Sequence, residues 1–250
     1  MRDTYISIDL ETTGLSPRRD KIIEIGALKI ENGEITQTLS SLINPGRRLD
    51  ERIIDLTGIR DEDLTEAPYI EVFFPRLLDF MGDLPLLGHH VFFDYSFLKK
   101  AAVDQGIPFE KEGIDTLPIA LKYLASLEHH NLGYLCAYYQ IPIRAHRAYE
   151  DARATHFLYR ELAEQFEEQE MQTLQAGDRK MRSVFDPKPL RFHIKKDSLA
   201  SVSQKEQLYR LIHQHRIDIS VDVERLTKSE ASRLINQIRQ RQASPRDGAK

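Results

Sequence analysis

Two carboxylates, Asp9 and Glu11, stand two residues apart in the opening segment Tyr5-Ile-Ser-Ile-Asp-Leu-Glu11. The alternation of apolar and polar residues predicts a strand on which both carboxylates lie on one face, while the isoleucines and Leu10 lie on the other. Like charges held this close repel each other, and hard oxygen donors are what Mg²⁺ or Mn²⁺ prefer. The pair therefore predicts a divalent-metal site, although an isolated Asp-x-Glu more often lines a solvent-facing strand.

Two further carboxylates could complete such a site. Asp94, at the end of Gly88-His-His-Val-Phe-Phe-Asp94, is expected to open a helix, and Asp151 is expected in the first turn of a helix that begins near Ala148. Five residues turn a helix by about 500°, so His146 is placed on the preceding loop and not on the face of Asp151. Taken alone, Asp94 fits a helix N-cap and Asp151 fits an acid favoured by the helix dipole. A lone loop histidine is usually a solvated surface residue, yet an imidazole can also take a proton from water near neutral pH.

The segment Asp9-Leu-Glu-Thr-Thr-Gly-Leu15 resembles the first motif of the DnaQ-like DEDDh exonucleases, a family that includes proofreading subunits of bacterial replicative polymerases. The stretch that ends in Asp94-Tyr-Ser-Phe-Leu98 resembles the second motif, and His146-Arg-Ala-Tyr-Glu-Asp151-Ala resembles the third, with its His-x-Ala-x-x-Asp spacing. The motifs occur in the family's order and cover roughly residues 4 to 166. The resemblance implies a ribonuclease H-like fold and the removal of nucleotides one at a time from a 3′ end.

The resemblance also implies a role for each of the five residues. Two divalent metal ions, Mg²⁺ or Mn²⁺, would be bridged by Asp9. Glu11 and Asp151 would complete one metal site, and Asp94 would serve the other. His146 would be the general base that deprotonates the water attacking the terminal phosphorus.

The same resemblance implies a set of residues that contact the terminal nucleotide. These are Leu10, Thr12, Thr13, Gly14, Ile59, His90 and Phe93. His90 is a departure, because relatives usually carry an asparagine at this place, and it puts the substrate preference in doubt. Asp115 is interpreted as the cap of the helix that follows it, and Glu24 as a residue that orients its neighbours.

Three functions remain open from the sequence. The first is an exonuclease on single-stranded DNA or frayed ends, and the second is an RNA-trimming enzyme of the same fold, which would use the same five residues. The third is a chiefly nucleic-acid-binding or polymerase-associated subunit whose nuclease site is vestigial. The presence of all five residues argues against the third. The expected partners are a 3′ end of single-stranded DNA or RNA and, unless the enzyme acts alone, a DNA polymerase subunit.

Apolar periodicity predicts an α/β fold with a mixed sheet flanked by helices. Asn32-Gly33 between two alternating segments indicates a hairpin, so the chain should open with a β-meander. Residues 66–82 should form a helix with Val72 on its apolar face, and Leu84-Pro-Leu-Leu-Gly88 should form a short buried strand. Strands that alternate with helices favour the α/β class.

The chain is expected to divide into an exonuclease domain at 1–170, a linker at 171–190, a small basic helical module at 191–241 and a disordered tail at 242–250. Residues 1–170 hold 18 Lys and Arg against 30 Asp and Glu, a charge of −12, and residues 171–250 hold 17 against 9, a charge of +8. The basic part, which includes Arg179-Lys180, Lys195-Lys196, Arg239 and Arg241, could attract phosphates or dock on the acidic domain. Thr227-Lys-Ser-Glu230 predicts a capping box.

Several classes of protein are disfavoured by the sequence. No apolar run approaches a membrane span, and the N-terminus lacks a secretory apolar region, which predicts no membrane partner and a cytoplasmic location. Cys136 is the single cysteine, so an internal disulfide and a multi-cysteine zinc site are excluded. Its apolar surroundings indicate a buried structural thiol.

Overall fold

The computed structural model describes residues 3–143, 146–176, 182–194, 198–215, 217, 222–228, 230–232, 234–235 and 238. The chain divides into two compact units, Met1–His193 and Ile194–Lys250. The basic residues 179, 180, 195, 196, 239 and 241 and the tail at 242–250 lie outside the described residues.

The first unit is built on a six-stranded mixed sheet with the order β3-β2-β1-β4-β5-β6. Strands β1 (Tyr5–Thr12), β2 (Ile22–Glu31) and β3 (Glu34–Leu42) run antiparallel in succession, so the predicted meander is confirmed. Asn32 and Gly33 form the turn between β2 and β3 with φ of 54° and 80°. Positive φ at both positions is what a two-residue hairpin turn requires, and this explains the Asn-Gly pair.

The other half of the sheet positions the later motifs. β4 (Leu86–Gly88) and β5 (Lys111–Asp115) run parallel to β1, and β6 (Lys188–Leu190) pairs antiparallel with β5 at the edge. Because β1, β4 and β5 are parallel neighbours, their carboxyl ends lie side by side. The segments that follow these strands therefore meet there. The expected α/β class and ribonuclease H-like mixed sheet are confirmed.

Helices cover both faces of the sheet. The helices of the first unit are α1 (Glu51–Thr57), α2 (Asp61–Leu64), α3 (Ile70–Met81), α4 (Val91–Asp104), α5 (Thr116–Tyr123), α6 (Leu132–Tyr138) and α7 (Ala148–Ala176). One core contains Ile6, Ile8 and Leu10 of β1 with α3 and α4, and the other contains Tyr5 with α5 and α7. Val72 is 71% exposed, so its expected place on the apolar face of α3 was wrong. The length and hydropathy of the helices give no candidate membrane span in the part of the chain that the structure describes.

The first unit continues past the domain boundary expected near residue 170. α7 extends to Ala176, and Glu170, only 1% exposed, accepts a hydrogen bond from the backbone N–H of Val184 at 3.0 Å. Phe185 is buried in the core, and Pro189 lies in β6. The expected linker at 171–190 therefore contains parts of the domain. Its prolines suggested a linker, but an edge strand tolerates proline because one side of its backbone has no pairing partner.

The second unit contains α8 (Val202–His215), a 3-10 helix at Val223–Arg225 and a helical stretch among the described residues from Lys228 onward. Its apolar core is formed by Ala200, Leu208, Val223, Leu226, Ala231, Ile235 and Ile238. The backbone N–H of Thr227 donates to Glu230 at 2.7 Å and the N–H of Glu230 donates to Oγ1 of Thr227 at 3.3 Å. The predicted capping box is confirmed.

Candidate active site

Asp9 and Glu11 lie on the face of β1 that packs against α7. The side chain of Ser7, on the same face two residues earlier, donates to the backbone carbonyl of Ala152 at 2.6 Å. The intervening Leu10 is buried in the opposite core. Glu11 is 9% exposed, and the pairing with β2 shifts register between Glu11 and the next residue. The strand thus presents two converging carboxylates beneath the start of α7, as its period predicts.

Asp94 reaches the site from the first turn of α4. Its Oδ1 accepts a hydrogen bond from the backbone N–H of Leu10 at 3.0 Å, and its side chain is 3% exposed. The residue therefore lies against the backbone between Asp9 and Glu11. α4 begins at Val91 and not at Asp94, so the expected helix start was wrong by one turn. The helix begins early because His90 adopts the left-handed conformation that ends the preceding segment.

His146 and Asp151 complete the cluster. His146 lies before α7 with φ of 65°, and its backbone N–H donates to Oδ2 of Asp151 at 2.9 Å. Asp151 lies in the first turn and is 8% exposed, whereas the side chain of His146 is exposed. Ligand atoms of Glu11, His146 and Asp151 all lie within 4.8 Å of one another. The structure thus brings the loop histidine and the helix carboxylate to the end of β1.

The electrostatics of the cluster indicate a need for cations. Burial, followed by the charges of Asp94 and Asp151, raises the pKa of Asp9 well above its ordinary value, and burial likewise raises the pKa of Asp94. Burial and the charge of Asp151 raise the pKa of Glu11 to about 8. Burial raises the pKa of Asp151 to about 6, although the backbone N–H of His146 opposes the shift.

These carboxylates fit divalent metal ions. A cation placed among them would stabilise the charged forms that burial and mutual repulsion disfavour. Carboxylate oxygens are ligands that Mg²⁺ and Mn²⁺ accept. Asp94 has one oxygen bonded to the backbone and a second that can serve a metal ion. The donor set is therefore chemically suited to the metals that the sequence predicts.

The end of β1 and the loop that follows it carry three of the expected nucleotide contacts. Oγ1 of Thr12 donates to the backbone carbonyl of Gly14 at 2.7 Å, and Oγ1 of Thr13 accepts from the backbone N–H of Lys21 at 3.0 Å. A Cβ on Gly14 would lie 2.6 Å from Oδ2 of Asp20, so the loop is folded tightly on this carboxylate. Both threonine side chains thus hold the loop in place.

Arg47 contacts this loop, although the sequence does not indicate it as a site residue. Its guanidinium donates to Oγ1 of Thr13, to Oδ1 of Asp20 at 3.0 Å and to the backbone carbonyl of Arg19 at 3.2 Å. The Arg47 side chain is 42% exposed. The signal in the sequence is weak, since Arg47 follows a turn and has no periodic pattern. Its contact with Thr13 becomes visible only when the loops after β1 and β3 meet.

The remaining expected contacts differ in accessibility. Leu10 is 5% exposed and Ile59 is 3% exposed, and Ile59 packs in a cluster with Ile23 and Leu64. Phe93 is partly buried against the core, and its ring centroid lies 5.1 Å from the ring centroid of Phe97. The side chains of Leu10 and Ile59 therefore serve packing beneath the loops. The ring of Phe93 keeps an accessible part.

His90 occupies a special backbone position. It has φ of 70°, and its backbone N–H donates to Oδ1 of Asp115 at 2.8 Å. Asparagine and histidine both tolerate the left-handed region better than most residues, which explains how histidine can replace the expected asparagine. Asp115 also accepts from the backbone N–H of Leu117 at 3.0 Å, so its predicted role as a helix cap is confirmed. Cys136 is fully buried, as expected.

The family model of the RNase_T exonuclease domain matches residues 6–159. The "DNA polymerase III PolC-type" of Clostridium perfringens is 31% identical over 232 residues, which cover 91% of this chain and 16% of that protein. The protein of the same name from Caldanaerobacter subterraneus subsp. tengcongensis is 36% identical over 165 residues, which cover 66% of this chain and 12% of that protein. The chain thus spans about a sixth or less of the length of these relatives.

Solved structures share the fold. Exonuclease X in complex with 5′ overhanging duplex DNA has a TM-score of 0.54 at 22% identity, with coverage of 65% of this chain and 93% of that one. A zinc-bound complex of E. coli ExoI with single-stranded DNA has a TM-score of 0.59 at 17% identity, with coverage of 70% and 43%. The family match, its motifs and the geometry of the carboxylates agree. The chain belongs to the RNase_T exonuclease family.

Proposed function

We propose that the chain is a 3′–5′ exonuclease that hydrolyses phosphodiester bonds at the 3′ end of single-stranded DNA or frayed ends and releases nucleoside monophosphates. The observation that carries the proposal is the convergence of buried carboxylates and an exposed histidine. Ligand atoms of Glu11, His146 and Asp151 lie within 4.8 Å of one another, and burial, followed by the charges of Asp94, Asp151 and Glu11, raises the pKa of Asp9.

In this proposal, Asp9, Glu11, Asp94 and Asp151 hold two divalent ions, Mg²⁺ or Mn²⁺. When bound, these ions would lower the pKa of a water molecule and offset the charge that develops on the reacting phosphate. The hydrogen bond from Leu10 fixes the orientation of Asp94, and the one from the backbone N–H of His146 fixes that of Asp151. The chain thus preorganises its carboxylates before any ion arrives.

His146 is proposed as the general base. A ring nitrogen of its exposed imidazole would accept the proton of the attacking water near neutral pH. The backbone of Thr12, Thr13 and Gly14 would face the terminal nucleotide, with the accessible part of Phe93 beside the base. His90, held in the left-handed conformation, would present its ring at the position of the usual amide.

DNA is the proposed substrate, with a DNA polymerase as the proposed partner. The PolC-type relatives are polymerases by name, and the structural neighbours hold 5′ overhanging duplex DNA or single-stranded DNA. This chain corresponds to about a sixth or less of the length of those relatives. RNA trimming and simple nucleic-acid binding are the alternatives.

The proposal is tested with a time course on matched DNA and RNA oligonucleotides labelled at the 5′ end, in Mg²⁺, Mn²⁺ or EDTA. Wild type is compared with His146→Ala. We expect a metal-dependent ladder that shortens from the 3′ end of DNA, is lost in EDTA and is slowed about a hundredfold or more in the variant. Faster cleavage of the RNA would show that RNA is the preferred substrate. Binding without cleavage would contradict the proposed exonuclease activity.

A further inference from the structure

A buried carboxylate outside the proposed metal set lies beside it. Glu24 is the register partner of Glu11 across β1 and β2 and is 2% exposed. Its Oε1 accepts hydrogen bonds from Nε and Nη2 of Arg147 at 3.1 and 2.9 Å, and its Oε2 accepts one from the backbone N–H of Ala148 at 3.1 Å. Both oxygens are therefore used by the two residues that directly follow His146.

The geometry of this contact fixes direction as well as distance. A planar guanidinium that donates through two nitrogens holds a carboxylate in one orientation, which an ammonium group cannot do. Ala148 opens α7, and its N–H is one of the four that a helix start leaves without an internal partner. Glu24 satisfies this N–H from the neighbouring sheet. The first helical residue is thereby attached to β2.

His146 needs such a restraint. Its φ of 65° lies in the left-handed region, which is unfavourable for a residue with a Cβ. Its backbone N–H is held by Asp151, but its side chain is exposed. The orientation of the imidazole therefore depends on the backbone at residues 146–148, and Glu24 holds the last two of these.

We propose that the Glu24–Arg147 pair is a positioning device that holds His146 in the conformation required for catalysis. This inference rests on the proposed role of His146 as the general base. Neither member of the pair belongs to the residues proposed to hold the metal ions, and the pair acts through the backbone that carries the imidazole. A merely structural pair would alter folding without any special dependence on His146.

A double-mutant cycle separates these roles. In the wild-type background, Arg147→Ala and Glu24→Gln should each lower kcat about 10- to 100-fold, with KM changed by less than about twofold. In the His146→Ala background, the same replacements should lower kcat less than about threefold, because the imidazole that they position is gone. Equal losses in the two backgrounds would overturn the proposal.

Two further variants distinguish a positioning effect from a general loss of folding. Arg147→Lys keeps the charge but lacks the planar fork, so it should remain at least about tenfold below wild type. Arg153→Ala is the matched control on α7, since the ion pair of Arg153 with Glu150 is long, at 3.7 Å, and partly exposed. It should retain activity. Full activity of Arg147→Lys would mean that only the charge is needed and would contradict a positioning role.

A readout without substrate distinguishes failure of this proposal from failure of the proposed function. Amide hydrogen exchange at His146 and Ala148 should be at least about tenfold faster in Glu24→Gln and Arg147→Lys than in wild type or Arg153→Ala. If wild type fails to hydrolyse DNA and RNA, the proposed function fails, and exchange still decides whether the pair restrains this backbone. Unchanged exchange would overturn the positioning role by itself.

Discussion

Asp9 and Gly26 face each other across the antiparallel pairing of β1 and β2. A Cβ on Gly26 would lie 2.2 Å from the carbonyl carbon of Ala148 and 2.2 Å from the backbone nitrogen of Tyr149. The first turn of α7 therefore rests on the sheet opposite the proposed metal ligand. The close approach of two backbones requires glycine at this position.

Gly26→Ala should push α7 away from β2 and separate Asp151 from Glu11. We expect a loss of about 1–3 kcal/mol in the free energy of unfolding, typical of overpacking, together with a large fall in kcat. Gly133→Ala in α6 is the control, since a Cβ there would lie 3.7 Å from its nearest neighbour, Oδ1 of Asn131, and alanine favours a helix. Urea denaturation and exonuclease rates measure both effects. A Gly26→Ala protein as stable and active as wild type would contradict the packing argument.

Arg47→Ala should weaken substrate binding more than catalysis. Arg47 joins Thr13 to Asp20 and so holds the loop that is proposed to face the terminal nucleotide. We expect KM to rise about tenfold while kcat changes less than about threefold, because uniform binding is lost. Arg48→Ala, an exposed neighbour, is the control. A fall in kcat at constant KM would show instead that Arg47 acts in the transition state.

His156 predicts a pH dependence of stability. The residue is 1% exposed, its Nδ1 lies 2.9 Å from the hydroxyl of Tyr5, and burial followed by the charge of Arg160 lowers its pKa from 6.5 to about 4. The unfolded chain therefore binds the proton more readily. The neutral imidazole contributes full stability above about pH 6.5, and this contribution of about 3 kcal/mol is lost as the pH falls towards 4.

The measurement compares urea unfolding of wild type and His156→Gln between about pH 7 and about pH 4.5. As the pH falls, the free energy of unfolding of wild type should decrease relative to that of the variant. The raised pKa values of Glu11 and Asp151 act in the opposite direction and are common to both proteins, so they cancel in the difference. Parallel pH profiles would contradict a buried neutral His156.

The second unit should contribute to DNA binding through charge. Residues 194–250 hold 12 Lys and Arg against 7 Asp and Glu, a charge of +5. Truncation after His193, where the first compact unit ends, should weaken binding of single-stranded DNA more at low salt than at high salt. Fluorescence anisotropy over a salt series measures this. An unchanged salt slope would favour a protein-docking role for the second unit.

The parts of the fold that follow from local chemistry could be predicted from the sequence. The Asn32-Gly33 turn, the cap by Asp115 and the Thr227–Glu230 box each depend on residues close in the chain, and each is confirmed. The positions of His146 and Asp151 around the start of α7 also follow from the helical period.

Features that depend on distant residues could not be predicted. The sequence places Pro189 and Phe185 in a linker, because proline commonly interrupts helices and strands. Pro189 instead lies in an edge strand through its pairing with β5, and Phe185 is buried in the core. The Glu24–Arg147 pair joins residues 123 positions apart. The sequence indicated that Glu24 orients its neighbours, but the identity of Arg147 as its partner required the packing of α7 on β2.

The function proposed for the cluster around Asp9 is the hydrolysis of DNA with divalent metal ions. The most direct measurement is the rate of nucleotide release from the 3′ end of labelled single-stranded DNA during a Mn²⁺ titration. Wild type, Asp9→Asn and the exposed control Asp79→Asn are compared, with circular dichroism to verify folding. We predict that wild type and Asp79→Asn are activated alike, while Asp9→Asn stays folded and loses about a thousandfold or more at every Mn²⁺ concentration. Metal-activated release by Asp9→Asn at the wild-type rate would contradict the proposed role of Asp9 as a metal ligand.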